Sequence, residues 1–167
     1  DRFVFEPGNE PVFLPAVSNV STTAGGCIDF QLHGQRAGFS GEAWAAQAAG
    51  TYFVAVLQTL NPATGDGIRS IGGWGEFYYK LNDCTTCYVG YGIDDPRNQD
   101  VGFLTPGPDP NDPGQRSYND VAWATVLWDV TDFFQLGFEV SHRQTHYVNP
   151  FVSTDGMLYH FSSSLKY

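Results

Sequence analysis

Positive charge is scarce in this sequence: eight Lys and Arg residues stand against eighteen Asp and Glu, a formal net charge of −10. Phosphate backbones are bound by basic faces, which these residues are too few to build, so nucleic acid is excluded as a partner class. Long apolar runs are missing as well. The longest, Tyr52 to Leu60, is interrupted by Gln58 and falls short of the roughly 18 residues a membrane helix needs, so any membrane reading must rest on strands. No window carries an amphipathic helical period. Cysteine is sparse: Cys27, Cys84 and Cys87 leave one thiol over if two are paired. Cys84-Thr85-Thr86-Cys87 reads as a polar turn and not as a thioredoxin-like redox motif, because no βαβ pattern surrounds it. Zinc would need a further ligand pair that the neighbouring sequence does not supply. The sequence opens at Asp1 without a charged, apolar and small-residue leader, so a secretion signal is expected to have been removed or to lie outside it.

What is present is alternation. In the last fifty residues Met157, Tyr159, Phe161, Leu165 and Tyr167 share one parity, while His160, Ser162, Ser164 and Lys166 share the other, the period of a strand with one apolar side. Phe134, Leu136, Phe138 and Val140 alternate with Gln135, Gly137, Glu139, Ser141 and Arg143, and Ala122 to Val130 alternate less cleanly. Earlier strands are predicted at 27–33, at about 39–46, at 71–81 and at 88–93. Residues 1–25 hold Pro7, Pro11 and Pro15 and read as a loop, with strands confined to 26–167 in a single domain. Asp94 to Arg116, with five prolines, reads as irregular. Aromatics and charged residues each make up 16% of the chain, a balance that fits strands with aromatic girdles better than a solvated globular surface.

Connections alternate in length: 34–38, 82–86 and 131–132 are short, 1–25, 48–68 and 94–116 are long, and 148–154 is intermediate. Transmembrane barrels alternate in this way, with short periplasmic turns and longer extracellular loops. The fold class expected is therefore all-β, an antiparallel up-and-down transmembrane β-barrel of about seven strands. The last strand would run inward and Asp1 would lie outside. Complete bacterial barrels have even strand numbers. Seven strands imply either an extra strand within 1–25 or, as the favoured reading, the C-terminal part of a larger barrel, completed by preceding strands or by another subunit in a homo-oligomer.

Gly72-Gly73-Trp74-Gly75-Glu76-Phe77, Val89-Gly90-Tyr91-Gly92-Ile93-Asp94-Asp95-Pro96, Trp128-Asp129-Val130-Thr131-Asp132 and Leu136-Gly137-Phe138-Glu139-Val140-Ser141 together resemble the C-terminal half of porin-like outer-membrane proteins of the planctomycete type, over roughly residues 26–167. The resemblance implies a larger barrel in the bacterial outer membrane, with passive passage of small polar solutes or ions. It implies contact with membrane lipid and no cofactor. It also implies that Tyr167, with Phe161 and Leu165, forms the C-terminal signal read by the barrel-insertion machinery.

If alternation separates lumen from lipid, the water-facing set is Asp29, His33, Glu42, Glu76, Lys80, Glu139, Arg143, His160 and Lys166. Charges so placed hydrate a channel and bias ion passage; on the lipid side each costs about 2–4 kcal/mol near the midplane. The plainer reading makes them the wet side of an ordinary antiparallel sheet. An inward constriction from Tyr52 to Leu57 and a loop packed on a rim are equally open. Two alternatives to a channel remain: a secreted or surface β-sandwich binding module, and a small envelope barrel with a structural or adhesive role. No enzyme is expected. Gly38-Phe39-Ser40-Gly41 misses the nucleophile-elbow pattern by one position. His142 and His146 on a strand lie about 13 Å apart, too far to share one zinc at ~2 Å. Asp109 and Asp112 are weak calcium candidates in a loop without EF-hand spacing, so no metal is assigned.

Overall fold

Period-two patterning gives each strand one apolar side, and pairing every strand with its sequence neighbour gathers those sides onto one face of a sheet. The computed structural model describes residues 22–50, 57–103 and 112–166, which contain no α-helix. The strands are β1 (Ala24–His33), β2 (Ala37–Gln47), β3 (Arg69–Asn82), β4 (Thr85–Pro96), β5 (Arg116–Thr131), β6 (Phe134–Tyr147) and β7 (Ser153–Leu165). All pairings are antiparallel, in one sheet of order β1-β2-β3-β4-β5-β6-β7. The fold is all-β and up-and-down.

Most strands are longer than their alternating cores predict, because ladder hydrogen bonds continue where side-chain alternation fades. β1 begins at Ala24, inside the segment read as loop, and β4 continues through Asp94 and Asp95 to Pro96, where irregular chain was expected. Pro96 is tolerated because it ends its strand, opposite Ser70. Residues 1–21, Tyr52 to Ala55, Val56, Asp109 and Tyr167 lie outside the described residues, so the extra strand sought in 1–25, the proposed constriction and half of the calcium pair fall there.

Short turns gather at one end of the sheet and long connections at the other. Residues 34–36, 83–84 and 132–133 make the short turns. In the first, Gly34 N–H donates to Ala37 O at 2.8 Å, and a Cβ on Gly34 would sit 2.5 Å from that oxygen, so only glycine fits. In the second, Asn82 Oδ1 accepts from Cys84 N–H at 2.9 Å, an Asx turn beside a bulge at Lys80/Asn82. Cys27, Cys84 and Cys87 are all free thiols.

The apolar core sits among the long connections. Ile68 is fully buried against Val101, with Val148 packed on both. Complete burial of an isoleucine stabilises by roughly 1.5–3 kcal/mol. Gln115 laces this end together: its N–H donates to Gly102 O (2.8 Å), its Nε2 to Leu60 O (3.0 Å), its Oε1 accepts from Gly102 N–H (3.1 Å), and its carbonyl accepts from Val148 N–H (2.9 Å). Gln58 adds a reciprocal pair with Arg116, Nε2 to O at 2.8 Å and N to Oε1 at 2.9 Å.

The sheet is not closed. β1 and β7 do not pair with each other, and every residue of both strands is exposed. The expected barrel closure is therefore absent among the described residues, as is any second sheet.

Candidate functional site

Side chains directly opposite across antiparallel strands share a face, so the register decides which residues meet. One lateral row runs Leu32, Phe39, Phe77, Val89, Ala124, Val140, Tyr159 across all seven strands and is wholly apolar. The next row on the opposite face runs His33, Gly38, Tyr78, Tyr88, Thr125, Glu139, His160. Apart from the strand-end pairs at the bulges, Asn82 with Thr85, Arg116 with Tyr147 and Thr131 with Phe134, no pairing mixes the two faces, so the alternation in seven separate segments adds up to one apolar face and one polar face.

Exposure differs between the faces in an instructive direction. Along β5, Ala122, Ala124, Val126 and Trp128 are exposed while Trp123, Thr125, Leu127 and Asp129 between them are half-buried. The polar side is the more crowded one, as the concave side of a bent sheet would be; we call it the inner face and the apolar side the outer face. Phe138, Trp128 and Phe161 on the outer face are 48%, 51% and 70% exposed, with no second layer over them among the described residues. The apolar run on β7, from Met157 to Leu165 with Ser163 its one polar member, covers about 27 Å of strand at ~3.4 Å per residue. Toward the long connections the outer face turns polar in one lateral line, Asp120, Gln144 and Asp155.

All nine residues expected to face water lie on the inner, polar face. Asp29 stands directly opposite Glu42, which stands opposite Trp74; Glu139 lies between Thr125 and His160, accepting from Thr125 Oγ1 at 2.8 Å. Glu76 is opposite Ser40, Lys80 opposite Thr86, Arg143 opposite Val121 and His33 opposite Gly38. Lys166, just past β7, forms an ion pair with Asp129, which also accepts from Gln135 Nε2 at 2.8 Å. The set is spread over the face and does not converge on one reacting point.

Sequence reasoning missed two acids and underweighted the aromatics on this face. Asp94 accepts from Ser70 Oγ at 2.5 Å, and Asp129 holds Lys166. Including them, the inner face carries six carboxylates (Asp29, Glu42, Glu76, Asp94, Asp129, Glu139) and three fixed cations (Lys80, Arg143, Lys166). Trp44, Trp74, Trp123, Tyr78 and Tyr88 share it, three of them lying across glycines: a Cβ on Gly90 would be 2.1 Å from the Trp123 ring, one on Gly38 would be 2.3 Å from the Tyr78 ring, and one on Gly72 would be 2.4 Å from Trp44. Such ring-over-glycine pairs pin strand register, a signal readable only once partners are known.

The remaining candidates separate. Phe161 and Leu165 are exposed on the outer face. His142 and His146 are on the outer face near the long connections, the first 3.6 Å from Asp155, the second with its ring 5.8 Å from Tyr118. No cluster of three or more metal-ligating side chains occurs among the described residues. Asp112 is buried, with Oδ1 accepting from Gly114 N–H at 2.8 Å, a turn contact. At the same end Asp100 grips Arg69 through Nε (2.6 Å), Nη2 (2.5 Å) and backbone N–H (3.1 Å). The side-chain hydrogen bond from Arg69 holds the Asp100 carboxyl below the usual range, against an opposing push from burial.

No family model, curated protein or solved structure matches this chain.

Proposed function

We propose that this chain forms part of an outer-membrane, porin-like β-barrel through which small polar solutes or ions pass passively. One observation carries the reading: a continuous apolar outer face, uncovered across seven strands, backs an inner face of charged and polar side chains. Water on both sides would leave those aromatics unpaid for by burial, whereas hydrocarbon outside and water inside match both faces. Strands of 10–16 residues suit a tilted crossing that needs ≈9–11.

The open edges support completion by further strands. β1 and β7 both run from the long-connection end toward the short-turn end, so antiparallel closure takes an odd number of additional strands. A second copy of the same seven strands alone would leave two parallel seams. The completing strands come from polypeptide outside the described residues or from another subunit contributing an odd number of strands whose two outermost run opposite to β1 and β7. With six inner carboxylates to three fixed cations, the channel prefers cations.

The test is conductance of the full-length polypeptide in planar bilayers. Stepwise, cation-selective currents are expected. No current above background would remove the transport function and leave the sheet architecture untouched.

A further inference from the structure

Where β1, β2 and β3 meet the long connections, a cavity of about 800 Å³ lies at the end of the sheet, and Ala45, Gln47, Arg69, Ile71 and Asp95 line it from the outer face. Its composition changes abruptly within one or two residues. Ala45 and Ile71 sit side by side in the register as an apolar floor, and Ile71, 60% exposed, continues into the outer face. The next register partner is Asp95, and one row further on Gln47 stands opposite Arg69. Arg97 completes the polar wall, set beside Arg69 by its backbone N–H donating to Arg69 O at 2.8 Å.

We infer that this cavity binds the headgroup of a zwitterionic phospholipid, with Arg97 and the outer edge of Arg69 on the phosphate and Asp95 on the ammonium. The inference rests on the lipid-facing reading of the outer face. Charge accounting selects the ligand. Two of only eight basic residues in the chain meet here. Arg69 spends Nε and one Nη2 hydrogen on Asp100, which neutralises it and fixes its plane, leaving its Nη1 hydrogens as donors. Arg97 lies near enough to help lower the Asp100 carboxyl, so the site holds two cations and two anions, of which Arg97 and Asp95 are the two outside the Arg69–Asp100 ion pair. A phosphodiester joined to an ammonium matches those two, and acyl chains follow the apolar floor onto the outer face. Free phosphate would answer Arg97 alone, and a purely anionic headgroup would meet Asp95 with like charge.

Native mass spectrometry of the full-length protein in maltoside micelles tests this with phosphatidylethanolamine and phosphatidylglycerol as probes. One phosphatidylethanolamine should be retained per protein, bound about tenfold more tightly than phosphatidylglycerol, and millimolar inorganic phosphate should not displace it. Arg97→Gln should weaken retention about tenfold, as loss of a charge-assisted hydrogen bond predicts, while Arg97→Lys retains it. Asp95→Asn should erase the preference between the two lipids. Equal retention by wild type and Arg97→Gln, equal affinity for the two lipids in wild type, or displacement by phosphate would overturn the site. A protein that conducts in bilayers but retains no lipid defeats this inference alone; one that stays monodisperse in water without detergent defeats the lipid-facing reading beneath it.

Discussion

The indole Nε1 of Trp123 on β5 donates to Glu76 Oε2 on β3 at 2.8 Å, spanning β4 by passing over Gly90. Two strands that share no ladder are thereby tied across the inner face. Gly90→Ala should displace the ring, since the added methyl would lie 2.1 Å from it. The expected cost is about 1–3 kcal/mol, read as a lower denaturation midpoint with unchanged slope. Glu76→Gln keeps an acceptor in place and should cost less than Trp123→Phe, which leaves the half-buried carboxylate without its donor.

The two faces respond oppositely to an introduced charge. Phe138→Arg on the outer face should cost about 2–4 kcal/mol in a bilayer if it lies near the midplane. Thr125→Arg on the inner face should change folding in vesicles far less. Refolding yield into vesicles, measured over a denaturant series, separates the two variants; equal penalties would contradict opposite solvation of the faces.

Asp29 and Glu42 face each other directly on the inner surface, a like-charge pair that is unfavourable in isolation and that would attract cations in the proposed channel. Asp29→Lys combined with Glu42→Lys should shift the reversal potential toward anions under a salt gradient. The same pair of substitutions should leave insertion into vesicles intact.

At the loop end, the Arg69 partnership predicts acid sensitivity with a defined sign. A carboxyl depressed on folding contributes stability that is fully present above its unfolded pKa of about 4 and is lost as pH falls through its lower folded value. Proteolytic opening of the long connections should therefore accelerate only below about pH 4. Asp100→Asn should open them more readily at neutral pH and flatten that acid dependence.

Face assignment was legible in the sequence because its signal is parity. Misplacing a strand end by two or three residues, as happened at Ala24 and Pro96, leaves every side chain on the same side of the sheet, which is why the nine residues share one face. The short turns were legible within two residues for the same reason: glycine, aspartate and asparagine punctuate the alternation. The loop core was not. Ile68, Val101 and Val148 come from three connections far apart in sequence, and nothing local in any of them marks the others as partners. Asp94 was hidden by Pro96, a residue that reads as a strand breaker but sits harmlessly at a strand end. The Arg69–Arg97 cavity depends on register between β2, β3 and β4 together, which alternation alone does not fix.

The most direct measurement of the central claim asks which solvent touches each face. Trp128 lies on the outer face and Trp74 on the inner one, 51% and 37% exposed. In two variants of the full-length protein, each keeping one of these tryptophans with the others replaced by phenylalanine and reconstituted in vesicles, brominated acyl chains should quench Trp128 and spare Trp74. Aqueous acrylamide should do the reverse. Quenching of Trp128 by acrylamide with no response to brominated lipid would contradict a hydrocarbon-facing outer surface.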